Sequence, residues 1–173
     1  MTAQSTPFTR RICVSGFAAT VAVTALSVTQ NLVLNPLASA PGRSLAQIRA
    51  DVAAAGESLD APLVLGIAAL YLVAGVVMLA EHLRRPRPSW RSPASAFLLL
   101  LAFAAPMHWF TSFGPGIALA DTYQISGATH SPWGWPVYLI SLASLAGLIV
   151  LVPARTFRPP PGSVEPLRPA DSR

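Results

Sequence analysis

The sequence predicts an all-α membrane protein with four transmembrane helices and both termini cytoplasmic. A short extracytoplasmic amphipathic helix is expected between the first and second spans. Three observations lead there. First, the 173 residues are 53% hydrophobic and only 11% charged, whereas a soluble domain carries about a quarter charged residues. Second, apolar runs at residues 12–37, 62–80, 94–113 and 133–152 are each long enough to cross a hydrocarbon core of about 30 Å. Third, the arginines gather at the ends of these runs, and the chain has no lysine. Arg10 and Arg11 precede the first run, Arg84, Arg85, Arg87 and Arg91 separate the second from the third, and four more lie in the tail. The remaining loops contain only Arg43 and Arg49. Arginine-rich segments stay on the cytoplasmic side, which sets the orientation. The same clustering argues against nucleic acid as a partner, which a net charge of +5 would otherwise invite.

Residues 1–11 form a cytoplasmic N-terminus. Thr9-Arg10-Arg11 and Ala38-Ser39-Ala40 resemble the flanks of an export signal. The apolar run between them, however, exceeds the roughly 7–15 residues of a signal core, and Pro41 directly follows the small residues. The first run is therefore expected to remain as a spanning helix. Cys13 is the only cysteine, which excludes an intramolecular disulfide and a CxxC redox pair. It reads as a small apolar residue.

Thr20, Thr24, Ser27, Asn31 and Asn35 recur at helical spacing and share one face of the first span. Such a face is expected to turn toward other helices, where hydroxyls and amides find partners. Its alternative use is a polar path for a solute. Gln30 lies beside it.

Pro41-Gly42 ends the span. Ser44 and Gln47 have the spacing of a capping box, and Leu45, Ile48, Val52 and Ala55 follow at helical intervals. Residues 44–55 are thus the short amphipathic helix, and Gly56 suits its C-terminal cap. Asp60 is placed to cap the second span and Pro62 to occupy its first turn. Gly66 and Gly75 offer small surfaces for close helix approach.

Glu81 to Pro93 is the central cytoplasmic loop. Its arginines, Arg84, Arg85, Arg87 and Arg91, are positioned to orient the chain and to meet anionic lipid headgroups. Glu81-His82 with Arg84 and Arg85 is also a candidate phosphate or proton-relay cluster. In the third run Pro106 removes a backbone donor and presses on the carbonyl of Ala102, predicting a kink whose freed carbonyl a neighbouring hydroxyl can satisfy. An outer connection is expected from Gly114 to about Pro132. Trp109, Trp133, Trp135 and Tyr138 suit an outer interfacial belt. Residues 154–173, rich in Pro and Arg, read as a disordered cytoplasmic tail.

His108, Asp121 and His130 are candidate metal ligands by residue type, although their spacing matches no metal motif. The sequence has no phosphate-cradling glycine loop, HExxH or GxSxG, and no cofactor is expected. Nor does any predicted span carry an acid or base at its centre, as ion-coupled pumps require. These features favour a small bacterial cell-membrane protein acting as a non-enzymatic accessory or structural subunit. Its expected contacts are membrane lipids and partner membrane proteins, or further copies of itself. A small transporter or pore using the polar face is the alternative, and a membrane enzyme with an outer metal site the third reading.

Overall fold

The computed structural model describes residues 7–85 and 89–151. Arg87 and the tail at 154–173 lie outside the described residues. Within them the chain is helical, with no strand, and contains four helices long and apolar enough to cross a membrane. They are α1 (Pro7–Ser39), α3 (Ala61–Arg84), α4 (Arg91–Tyr123) and α5, which runs over Trp135–Leu151 behind a 3₁₀ turn at Pro132–Gly134. The short α2 covers Leu45–Ala54.

α1 has 33 residues, about 50 Å at 1.5 Å per residue, which is longer than the roughly 30 Å of a hydrocarbon core. It begins five residues before the apolar run, and Arg10 and Arg11 lie in its opening turns. At Gln30–Leu34 it widens into a π turn, in which the Asn35 N–H reaches the Gln30 carbonyl. Pro36 accounts for the widening. It has no N–H to give Leu32, and its ring crowds that carbonyl, so a looser preceding turn relieves both problems.

α1 packs mainly on α3 and the first segment of α4, and α5 packs chiefly on α4. Two glycines permit close approaches at the α1 interfaces. A Cβ on Gly16 would fall 2.5 Å from the Phe97 ring, and one on Gly75 would meet Phe17 and Thr20 at 3.3 Å. Gly66, by contrast, faces open space and packs against nothing. The mid-bundle core consists of Val23, Tyr71, Leu100, Leu101, Ala104 and Val137.

α4 is interrupted at Phe103, between segments Arg91–Ala102 and Ala104–Tyr123. The carbonyl of Ala102, four residues before Pro106, accepts from the Ser141 hydroxyl of α5. The Leu100 carbonyl accepts from the Tyr71 hydroxyl of α3. These hydroxyls supply hydrogen bonds at a point where the helical ladder is interrupted, as a helix that crosses a membrane would require.

Beyond the break, α4 continues helically to Tyr123, where the sequence had suggested a connection from Gly114. Gly114-Pro115-Gly116 resembles a stop signal, but tertiary packing overrides it. Ala118 and Leu119 pack with Ile48, Val52, Leu59 and Ala40 in a second core, which Tyr123 borders. α2 is thereby held against the end of α4. Its Ser44–Gln47 capping box is formed, with Gln47 N–H on the Ser44 hydroxyl and Ser44 N–H on the Gln47 side chain. Gly56 follows with φ +80. Arg43 pairs with Asp51, which also accepts from the Tyr123 hydroxyl at 2.8 Å.

Asp60 departs from its expected role. It adopts a left-handed backbone (φ 47) and makes no side-chain cap; its carbonyl accepts from Val64 N–H. The carboxylate instead lies against Gly114, where any added Cβ would overlap it.

Candidate functional site

All five residues of the polar α1 face are buried, none more than 6% exposed. The face divides into two halves with different hydrogen bonding. Thr20 and Thr24 return their hydroxyls to the carbonyls of Gly16 and Thr20, at 2.9 and 2.7 Å, within their own helix. This is the usual way a buried threonine satisfies itself in a helix.

From Ser27 onward the side chains reach other elements. Ser27 Oγ lies 2.8 Å from His108 Nδ1 on α4, and one turn later Asn31 Nδ2 donates to Thr111 Oγ1 at 2.9 Å. Ser27 and Asn31 are four apart and His108 and Thr111 three apart, so each pair occupies consecutive turns of one helix face. The two rungs therefore tie α1 to α4 side by side. Thr111 passes its own proton to the carbonyls of Met107 and His108.

The last turns of α1 hold the segment that enters α5. Asn35 Oδ1 accepts from the backbone N–H groups of His130 (2.8 Å) and Ser131 (3.4 Å). Gln30 accepts from the Ser131 hydroxyl at 3.0 Å and donates to the Ser131 carbonyl at 3.3 Å. Ser39 gives a further contact to His130 Nδ1 at 3.3 Å. The π turn falls between Gln30 and Asn35 and changes their relative angle by an inserted residue, which lets both reach residues 130–131. Gly134 closes the arrangement. A Cβ there would come within 3.2 Å of His108 Nε2 and 3.7 Å of Gln30 Nε2, so a side chain would push on both.

Above this network lies an open cavity of about 390 Å³, lined chiefly by Thr129, His130, Ser131, Gly134, Trp135 and Tyr138. The Tyr138 ring meets the His108 ring edge-on at 5.5 Å. The lining supplies hydroxyls, one imidazole and aromatic faces, but no carboxylate. Ser27 and His108 have the composition of a nucleophile and its base. Both are buried, however, and Ser27 binds the Nδ1 position that an orienting carboxylate would otherwise occupy. As arranged, the pair joins α1 to α4 through one buried hydrogen bond.

The three metal candidates are not brought together. His108 is enclosed against Ser27, His130 is turned to Ser39, and Asp121 is exposed on the extension of α4. Among the described residues no group of three His, Cys, Asp or Glu side chains could hold a metal ion. Of the Glu81-His82 cluster with Arg84 and Arg85, Glu81 and Arg85 meet while His82 turns back to its own helix. His82 Nδ1 donates to the Met78 carbonyl at 2.8 Å on its own helix, and Glu81 pairs with Arg85 at 3.3 Å in an exposed contact of the kind worth about 0–1 kcal/mol. Arg91 stacks over Trp90, 5.9 Å from its ring centre.

Sequence reasoning overlooked Tyr71, Thr111, Ser131 and Ser141. Tyr71 was visible as a lone phenol in an apolar run, and Thr111 as a hydroxyl three residues from His108. The partners of Ser131 and Ser141 depend on tertiary placement and left no local signal. No family model, curated protein or solved structure matches this chain.

Proposed function

We propose that this chain is a four-span cell-membrane protein, with both termini cytoplasmic and α2 on the opposite side, that serves as a non-enzymatic accessory subunit for partner membrane proteins. One observation carries the reading. Among the described residues, no fully buried side-chain nitrogen or oxygen lacks a hydrogen-bond partner. The polar groups that might have lined a solute path are satisfied inside the bundle, Thr20 and Thr24 by carbonyls of α1, Ser27 and Asn31 by side chains of α4, and Asn35 by the backbone of residues 130–131. Ordered polar pairs of this kind fix helix positions; they do not form a file of free groups for an ion or solute to follow.

The apolar groups are distributed in the opposite way. Leu63, Leu70, Val73 and Val77 of α3 and Leu139, Leu142, Ile149 and Val150 of α5 are all exposed. In a bilayer these faces meet lipid or another membrane protein. The arginine distribution along the sequence supports the orientation, and the exposure of Trp109, Trp133 and Trp135 is compatible with an interfacial belt.

The test is purification of the tagged chain from its native membrane in mild detergent. A stoichiometric membrane-protein partner, or a defined homo-oligomer, is expected. A lone monomer, together with a deletion strain whose membrane complexes are all unchanged, contradicts the proposal.

A further inference from the structure

We infer that the cytoplasmic end of α1 binds an anionic phospholipid, with Arg10 and Arg11 holding its phosphate diester and the adjoining helix face receiving an acyl chain. The inference rests on the membrane-spanning reading but not on the accessory-subunit reading. A groove of about 640 Å³ is lined by Pro7, Arg10, Arg11, Val14 and Ser15. Both arginines are exposed, and neither forms an ion pair among the described residues, where the only pairs are Arg43–Asp51 and Arg85–Glu81. Two adjacent guanidinium groups without a carboxylate present charge and a planar donor fork that matches phosphate oxygens.

The rest of the groove is apolar. Ser15 turns its hydroxyl back to the carbonyls of Arg11 and Ile12, at 2.8 and 3.2 Å. Val14 is 51% exposed, and Ala18, Val21 and Ala25 continue the exposed track at helical spacing. Charge at the membrane edge and a shallow hydrocarbon track above it match an amphiphile. A free anion would use only the first feature and an acidic peptide would leave the second uncovered.

The full chain, purified in mild detergent, is to be offered phosphatidylglycerol or phosphatidylcholine at equal concentration and examined by native mass spectrometry. A preference of about tenfold for phosphatidylglycerol is expected, the equivalent of 1.4 kcal/mol. The R10K/R11K variant keeps the charge that orients the chain but loses the bidentate fork, and should weaken binding of both lipids; R10Q/R11Q, which removes the charge that tells the two headgroups apart, should lose most of that preference. Val14→Trp, which fills the groove and leaves both arginines, should do the same, whereas Arg49→Lys should not. Equal binding of the two lipids, or a preference unaltered in both R10Q/R11Q and Val14→Trp, overturns the inference. So does displacement by excess inorganic phosphate, which would assign the site to a free anion, or co-purification of an acidic protein that is lost in R10K/R11K and blocks lipid binding. Failure of the accessory-subunit reading would leave the lipid preference intact.

Discussion

Replacing Gly16 by alanine should destabilise the bundle at the contact between α1 and α4. The added Cβ would lie 2.5 Å from Phe97 Cγ, 2.7 Å from its Cβ and 2.8 Å from Cδ2, where carbon atoms prefer about 3.5–4.0 Å. Rotating the ring cannot remove the overlap, because one of the crowded atoms is the Phe97 Cβ itself. The two helices must therefore separate by about 1 Å locally, and overpacking of this kind costs about 1–3 kcal/mol. For a chain of this length each kcal/mol corresponds to about 2–4 °C in Tm. Thermal unfolding in detergent, followed by circular dichroism, should report that loss. The reasoning also predicts a rescue. Phe97→Ala alone costs stability by emptying a buried site, but in the Gly16→Ala background part of that cost is offset by relief of the overlap with the ring atoms Cγ and Cδ2, while the 2.7 Å approach to the Cβ of residue 97 remains. A double-mutant cycle should therefore show a favourable coupling of about 1 kcal/mol or more. A Gly16→Ala protein as stable as the parent, or strictly additive effects of the two changes, would refute the contact.

Tyr71→Phe and Ser141→Ala each remove a hydroxyl that serves the interrupted α4, and each should cost about 0.5–1.5 kcal/mol in the same assay; no loss from either would mean the break needs no support. Asn31→Leu and Thr111→Val should show a coupling of about 0.6 kcal/mol and at most about 1.7, the range for hydrogen bonds between membrane helices, and zero coupling would remove that rung. Single cysteines placed in a Cys13→Ala background test the orientation. Ser58→Cys should label with an impermeant maleimide on intact cells, and Ser89→Cys only after permeabilisation; the reverse pattern would invert the chain.

Much of the bundle was legible because its signals are local. Four apolar runs marked four long helices, Ser44 and Gln47 marked the α2 cap, and Pro106 marked both a break in α4 and the carbonyl that Ser141 satisfies. The periodicity of Thr20, Thr24, Ser27, Asn31 and Asn35 identified one face, and all five are buried. Other features were hidden because packing decides them. Gly114-Pro115-Gly116 reads as a terminator, yet the α2 contacts with Ala118 and Leu119 hold the chain helical to Tyr123. Pro36 carried a signal for the π turn, masked by the strength of the surrounding apolar run. His108, Asp121 and His130 share a chemistry but not a place, since residue type says nothing about which helix face or loop will meet. The pairing of Asn35 with the backbone at residues 130–131 joins segments about ninety-five positions apart, and no local pattern encodes it.

The central claim is that this bundle keeps its polar groups to itself and offers apolar helix faces to other membrane proteins. Site-specific photocrosslinking in living cells tests it most directly, with the reactive residue placed at Leu70 on α3 and at Leu142 on α5, 71% and 64% exposed respectively. A discrete adduct with a second membrane protein, or with another copy of the chain, is predicted from at least one of these positions. If both yield only lipid adducts on a chain that migrates as a monomer, the claim is contradicted.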